Sequence, residues 1–247
     1  MILRDARVTI VGLGLMGGSL AAALSRSGAC REVVGVARRE GVVRTARELR
    51  FIHWGTTDLA QGVQGADLVV LATPVRSIVH TITQIGPMLA PDCVLLDVGS
   101  SKKAICKAMA NLPAHVQPIG GHPMCGKESA GLMVAEPDLF LSKVFVLCPL
   151  ERTAPAALAL AREVVTAVGA RELVLDPEQH DRMVALISHL PYLMSISLVN
   201  AADTLAADDS LVWRLAASGF RDTSRVAAGN PEMMLDILLT NREPIRA

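Results

Sequence analysis

Short β-branched runs alternate with amphipathic stretches from Val8 to about Asp176, and this alternation predicts βαβ units around a parallel sheet with helices on both faces. Strands are expected at residues 7–11, 32–36, 68–72, 93–97, 117–120, 143–147 and 171–175. Most are unbroken runs of Val, Ile and Leu, the mark of strands buried on both sides. Apolar residues recurring at helical period place helices at 17–27, 41–49, 76–87, 102–111 and 155–168. Beyond Pro177 the strand signal stops. Residues 178–205, 210–217, 221–227 and 231–240 all read as helices, the last opened by Asn230-Pro231, a cap followed by a first-turn proline. The chain thus divides into an α/β domain over residues 1–176 and a smaller all-helical domain over 177–247. The most apolar stretch, 183–199, is interrupted by Ser188, His189 and Pro191, and reads as a buried helix rather than a membrane span.

Composition narrows the partners. With 51% hydrophobic and 19% charged residues, the 247-residue chain has apolar material for a large core and for burial between subunits, so an oligomer is expected. Lys+Arg and Asp+Glu number 24 each, which builds in no attraction to nucleic acid or an anionic membrane and favours a small-molecule substrate. The five cysteines, Cys30, Cys93, Cys106, Cys125 and Cys148, form no C-x-x-C pair and leave one over, as in the reduced thiols of a cytoplasmic protein. Residues 1–7 carry charge and run straight into the first strand, without the apolar segment and cleavage site of a signal peptide.

Gly12-Leu13-Gly14-Leu15-Met16-Gly17 follows a strand and opens a helix, the context in which a G-x-G-x-x-G match signifies dinucleotide binding. Gly12 permits the tight turn, Gly14 lets backbone approach a pyrophosphate, and Gly17 allows close helix–strand packing, while the first amides of the helix, from Leu15 and Met16 onward, face the anion. The α/β domain is therefore a Rossmann-type doubly wound sheet. Its second strand runs out through Ala37-Arg38-Arg39, where an NAD enzyme would place an acid on the ribose. Ala37 removes that carboxylate, and Arg38 and Arg39 offer forks for a 2′-phosphate, so NADP is expected over NAD. Ala72-Thr73-Pro74 ends another strand at the same edge, where the proline either simply stops the strand or, taken with the glycine turn, marks further cofactor contacts.

Two further polar clusters follow strands and reach this edge: Asp97-Val98-Gly99-Ser100-Ser101-Lys102 and Gly120-Gly121-His122-Pro123-Met124-Cys125-Gly126. A histidine framed by glycines and proline sits on rigid backbone, and its near-neutral pKa suits it to take a proton as hydride leaves. Arg221 and Arg225, four residues apart on a predicted helix, project from one face, either as a solvated basic surface with Asp222 pairing nearby or as a carboxylate clamp. His189 precedes Pro191 in a helix that the proline kinks, and Asp181, two turns earlier, orients His189 or a neighbour.

Together with Ser188-His189-Leu190-Pro191 and Ser218-Gly219-Phe220-Arg221-Asp222-Thr223-Ser224-Arg225, these motifs resemble the TyrA family of prephenate and arogenate dehydrogenases. The resemblance implies an oxidative decarboxylation in which a cyclohexadienol loses hydride and CO₂ and becomes aromatic. It implies His122 as the base on the ring hydroxyl, and Ser100, rather than adjacent Ser101, as the serine holding that hydroxyl. Arg221, Arg225 and His189 would contact the substrate, and the helical domains would pair into a homodimer, with residues 233–239 suited to that interface. Two departures from the family pattern fall at the substrate site: Tyr192 stands where many prephenate-using members carry histidine, and Lys127 stands where Thr or Ser is common. With the NADP-type strand end they resemble the cyanobacterial branch that prefers arogenate; prephenate is the alternative. Other readings are a β-hydroxyacid dehydrogenase or imine reductase, which rely on a helical lysine or aspartate, and an NADP sensor without turnover, against which His122 and the two arginines argue.

Overall fold

The computed structural model describes residues 2–247. Eight strands form one sheet: β1 (Arg7–Val11), β2 (Glu32–Val36), β3 (Trp54–Thr56), β4 (Leu68–Leu71), β5 (Val94–Asp97), β6 (Gln117–Pro123), β7 (Val144–Pro149) and β8 (Arg171–Val174). Six helices cover its faces: α1 (Leu15–Ser27), α2 (Glu40–Glu48), α3 (Leu59–Val63), α4 (Val75–Ile85), α5 (Lys103–Ala110) and α6 (Pro155–Ala167). The strand order is β3-β2-β1-β4-β5-β6-β7-β8. Central strands such as Val8, Ile10, Leu68, Val70 and Leu96 are fully buried, because helices from both sides close over them.

Neighbouring strands are parallel with one exception, which corrects the all-parallel expectation: β6 and β7 run antiparallel. Parallel neighbours need a crossover segment, usually a helix, and the connection from Met124 to Lys143 holds only a short 3-10 turn at Leu132–Val134. β6 also runs three residues past its expected end, so that Gly121, His122 and Pro123 pair with Leu147, Val146 and Phe145. His122 therefore sits in a strand and not in a loop. The edge pair β3 and α3 was not foreseen; Trp54-Gly55-Thr56 is too short to show a period.

After Asp176, whose carboxylate caps the next helix through the amides of Glu178 and Gln179, the chain is helical. A single long rod comprises α7 (Pro177–Val184), a π-helical turn at Ala185–His189 and α8 (Leu190–Asp208). The π turn just precedes Pro191, which has no N–H to give the preceding turn, so the register widens there. α9 (Leu211–Leu215), α10 (Ser218–Ser224), α11 (Pro231–Thr240) and α12 (Arg242–Arg246) complete the domain.

The rod is long and apolar enough, by length and composition, to cross a membrane. Its polar residues His180, Asp181 and His189 are buried against the sheet domain, while Leu186, Ile187 and Met194 are 66, 65 and 63% exposed. Residues 183–199 are thus not the buried helix expected from their composition: one side packs inward and the other is an open apolar face. Met233, Leu235 and Leu239 on α11 are open as well.

Candidate active site

The glycine turn meets the demands of a pyrophosphate cradle. Gly12 has φ +103°, and a Cβ on Gly17 would lie 1.9 Å from the Gly12 carbonyl, so neither position tolerates a side chain. Around Gly14 the space is open. The helix ladder starts with the Gly18 amide on the Gly14 carbonyl at 2.8 Å, which leaves the amides of Leu15, Met16 and Gly17 facing outward at a helix N-terminus. Ala72 and Thr73 wall the turn closely: a Cβ on Gly12 would meet the Ala72 oxygen at 2.6 Å. The Thr73 Oγ1 is buried with no protein partner, a polar atom that a bound dinucleotide can satisfy. Ala37 follows directly on β2, and the exposed Arg38 and Arg39 take part in no ion pair among the described residues. These residues fit a dinucleotide. No cluster of three metal-ligating side chains occurs among the described residues.

Because β1, β4, β5 and β6 are parallel, their carboxyl ends lie along one edge in the order Gly12, Thr73, Ser100, His122, about 4.8 Å apart per strand. A buried ion pair fixes the last two to each other. Lys102 Nζ bonds Asp97 and donates to the Gly121 carbonyl at 2.6 Å, and Asp97 accepts from the Gly99 and Gly121 amides at 2.7 and 3.1 Å. Both side chains are fully buried. Removing one partner of such a pair costs about 3–5 kcal/mol, which makes it a tether between the serine loop and the histidine strand.

Ser100 and Ser101 separate cleanly. Ser101 is buried and its hydroxyl lies 2.9 Å from Thr240 Oγ1 of α11, whereas Ser100 is partly exposed.

His122 belongs to a chain of hydrogen bonds that the sequence did not reveal. Its Nδ1 lies 2.8 Å from His180 Nε2, and His180 Nδ1 lies 2.8 Å from Asp181 Oδ1. Asp181 also accepts the amides of Lys102 and Lys103 at 2.7 and 2.9 Å, so it acts as an acceptor throughout. This order dictates the protons. His180 must donate from Nδ1, its Nε2 must accept, and His122 must donate from Nδ1, which leaves the His122 Nε2 lone pair free. Burial first, then His180, Lys102 and His189, hold the His122 pKa well below the usual histidine range. The free imidazole is thus neutral, correctly tautomeric and braced on a β-strand.

The other expected substrate contacts fall into two groups. His189 is buried and accepts at Nδ1 from the Asn241 amide at 3.1 Å, its pKa lowered by burial to about 4. Asp181 therefore serves His180, the neighbour, and not His189. Tyr192 packs against Met234 and Ile237 in the small helical core. Lys127 does not reach into the cleft: its ammonium holds the Val134 carbonyl at 3.1 Å and Glu136 at 2.8 Å. The two arginines do not form the one-faced clamp expected. α10 ends at Ser224 and Arg225–Ala228 winds as a 3-10 turn, as helix ends commonly tighten, so the four-residue spacing no longer aligns them. Arg221 reaches only Asp222, at 3.4 Å, while Arg225 crosses to Glu128 at 2.8 Å. That pair is exposed and worth at most about 1 kcal/mol, so Arg225 can exchange it for a substrate carboxylate.

Comparison with known proteins identifies the family. Residues 20–174 match the model of the prephenate dehydrogenase nucleotide-binding domain, and residues 176–247 match that of the prephenate dehydrogenase dimerization domain. The prephenate dehydrogenase of Bacillus subtilis is 32% identical over 240 residues, 96% of this chain and 65% of that protein. The cyclohexadienyl dehydrogenase of Zymomonas mobilis is 33% identical over 238 residues, 95% of this chain and 80% of that one. The chain thus spans a little under two thirds of the length of the first relative. Among solved structures, the arogenate dehydrogenase of Synechocystis superposes with a TM-score of 0.83 at 36% identity, covering 97% of this chain and 85% of that one. The prephenate dehydrogenase of Aquifex aeolicus, in complex with hydroxyphenyl propionate and NAD+, gives 0.90 at 30%, covering 98% and 84%. With two adjoining family models covering nearly all of it and a site built of the residues just described, the chain belongs to the prephenate dehydrogenase family.

Proposed function

We propose that the chain is a homodimeric, NADP-dependent arogenate dehydrogenase, converting arogenate to tyrosine and CO₂. The observation that carries this reading is the free Nε2 of His122, held by the relay to Asp181 at the sheet edge beside Ser100. A bound nicotinamide supplies the hydride acceptor. Ser100 positions the ring hydroxyl, and His122 Nε2 takes its proton as hydride departs from the carbinol carbon. The bond to the leaving carboxylate then breaks, its electrons running through the ring to the oxygen, which takes the proton back from His122 as the phenol forms. Until then His122 is an imidazolium that donates through His180 to Asp181, so the new charge is stabilised by a carboxylate two bonds away in the chain. Arg225 grips a substrate carboxylate.

Support for arogenate comes from the 36% identity with the Synechocystis enzyme and from Tyr192 at a position that the resemblance gives to histidine in prephenate users. Prephenate is the second reading, favoured by the names of the bacterial relatives. Assaying NADP and NAD reduction with each substrate tests both; turnover of neither contradicts the reading. Support for the dimer lies in the exposed apolar faces of the rod and α11 and in the match to a dimerization domain. The five thiols are all free, which suits a cytoplasmic setting.

For the cofactor, replacing Arg38 and Arg39 together by Ala is expected to raise the KM for NADP by about tenfold or more and leave that for NAD within about twofold, since only the 2′-phosphate contact is lost. Equal effects on both cofactors would remove these arginines as the source of the preference.

A further inference from the structure

Of the six helices of the dinucleotide domain only α3 has a side-chain cap of its own, and among the five without one, α4 and α5 begin where the helical domain packs on them. Pro74 precedes α4 and Lys102 precedes α5, and neither puts a side-chain oxygen on the first turn. α3, α7 and α11, by contrast, are capped by Asp58, Asp176 and Asn230. The missing oxygens arrive from the helical domain. Asp181 serves α5 through the Lys102 and Lys103 amides. Asp236 of α11 serves α4: its Oδ2 accepts the Arg76 amide at 2.8 Å, and its Oδ1 lies 3.5 Å from Arg76 Nε. The Asp236 side chain is only 10% exposed, so this carboxylate is committed to the contact.

We propose that Asp236 is a positioning residue for cofactor binding, closing the N-terminus of α4 from the other domain and thereby holding residues 72–75 against the dinucleotide. The argument is mechanical. An uncapped first turn leaves its amides without partners and frays. Val75 is the first residue of α4, so fraying there reaches Pro74 and Thr73 at once. Thr73 and Ala72 pack on the Gly12 turn without slack, as the 2.6 and 2.7 Å approaches to a Cβ at Gly12 record. One turn further along α11, on the same face, Thr240 accepts the Ser101 hydroxyl while donating to the Asp236 carbonyl. A single helix face therefore steadies the cofactor loop and the loop that bears Ser100.

The proposal rests on the dehydrogenase reading only for the identity of the cofactor, and its test needs no substrate. The Kd for NADPH, read by nicotinamide fluorescence, is measured beside thermal unfolding for the wild type, Asp236→Ala and Asp236→Asn. Asp236→Ala is expected to bind about tenfold more weakly, as loss of a cap predicts, and Asp236→Asn, which keeps an acceptor oxygen for the Arg76 amide, to recover most of that affinity. If the alanine variant does not fold, Asp236→Ser, whose hydroxyl is too short to span the gap, reports the same loss. Unchanged affinity in the alanine or serine variant overturns the proposal. So does an asparagine variant that binds no better than the alanine one, because that pattern belongs to a merely structural carboxylate. Failure to turn over arogenate or prephenate leaves this result standing, whereas a wild-type chain that binds neither NADPH nor NADH overturns both.

Discussion

His122→Asn is expected to lower kcat about a thousandfold while leaving the Kd for NADP within about twofold of the wild type. The amide preserves a donor toward His180 Nε2, so the strand and the relay stay in place, but no basic nitrogen remains where the substrate hydroxyl must give up its proton. Nothing in the phosphate cradle touches His122, which is why cofactor affinity stays. The same assignment fixes the acid limb of the wild-type profile. A base must be unprotonated to act; burial and the neighbouring groups lower the His122 pKa, so kcat/KM should hold as pH falls through the ordinary histidine value of about 6.5 and decline only below it. Steady-state kinetics from pH 8 to 5 with both enzymes settle the point, and an asparagine variant with wild-type turnover would falsify the assignment.

Asp181→Asn is the second large effect, with kcat expected to fall on the order of a hundredfold and the substrate KM to change little. The shape of the side chain is kept, yet one terminal atom becomes a donor among groups that all donate: the amides of Lys102 and Lys103 and the Nδ1 of His180. If nitrogen faces His180, the tautomer chain reverses and His122 Nε2 carries a proton in the resting enzyme. If oxygen faces it, the order survives but the imidazolium loses its anionic counterweight. Either way the chemical step suffers more than binding. Kinetics run well below the unfolding temperature separate this from any loss of the α5 cap. Retention of more than half the wild-type kcat would remove Asp181 from the proton path.

Much of this architecture could be read in the chain. Unbroken Val, Ile and Leu runs located the central strands, because strands covered on both faces leave no polar alternation to obscure them. Gly12 and Gly17 were legible because steric demand admits no other residue there. The antiparallel β7 was legible in principle: a connection from Met124 to Lys143 without helical period cannot be a crossover.

The relay was not. His180 lies in the polar first turns of α7, where Glu178, Gln179 and Asp181 read as a solvated face, and adjacent residues on a helix do not point the same way. Only the docking of α7 on α5 brings His180 to a histidine 58 positions earlier in sequence. The arginine spacing misled for a similar reason, since the four-residue rule holds within one α-helix and the chain changes helix type at Arg225. The apolar rod was misjudged as buried because sequence cannot tell a helix covered by its own chain from one left for a partner.

The most direct measurement of the central claim is a crystal structure of the chain with NADP and a phenolic product analogue. The phenol oxygen is predicted within hydrogen-bond distance of both His122 Nε2 and the Ser100 hydroxyl, with the nicotinamide ring stacked against the same carbon and His180 still bridging to Asp181. A phenol bound elsewhere, or an Nε2 turned from the nicotinamide into the protein interior, would contradict the account.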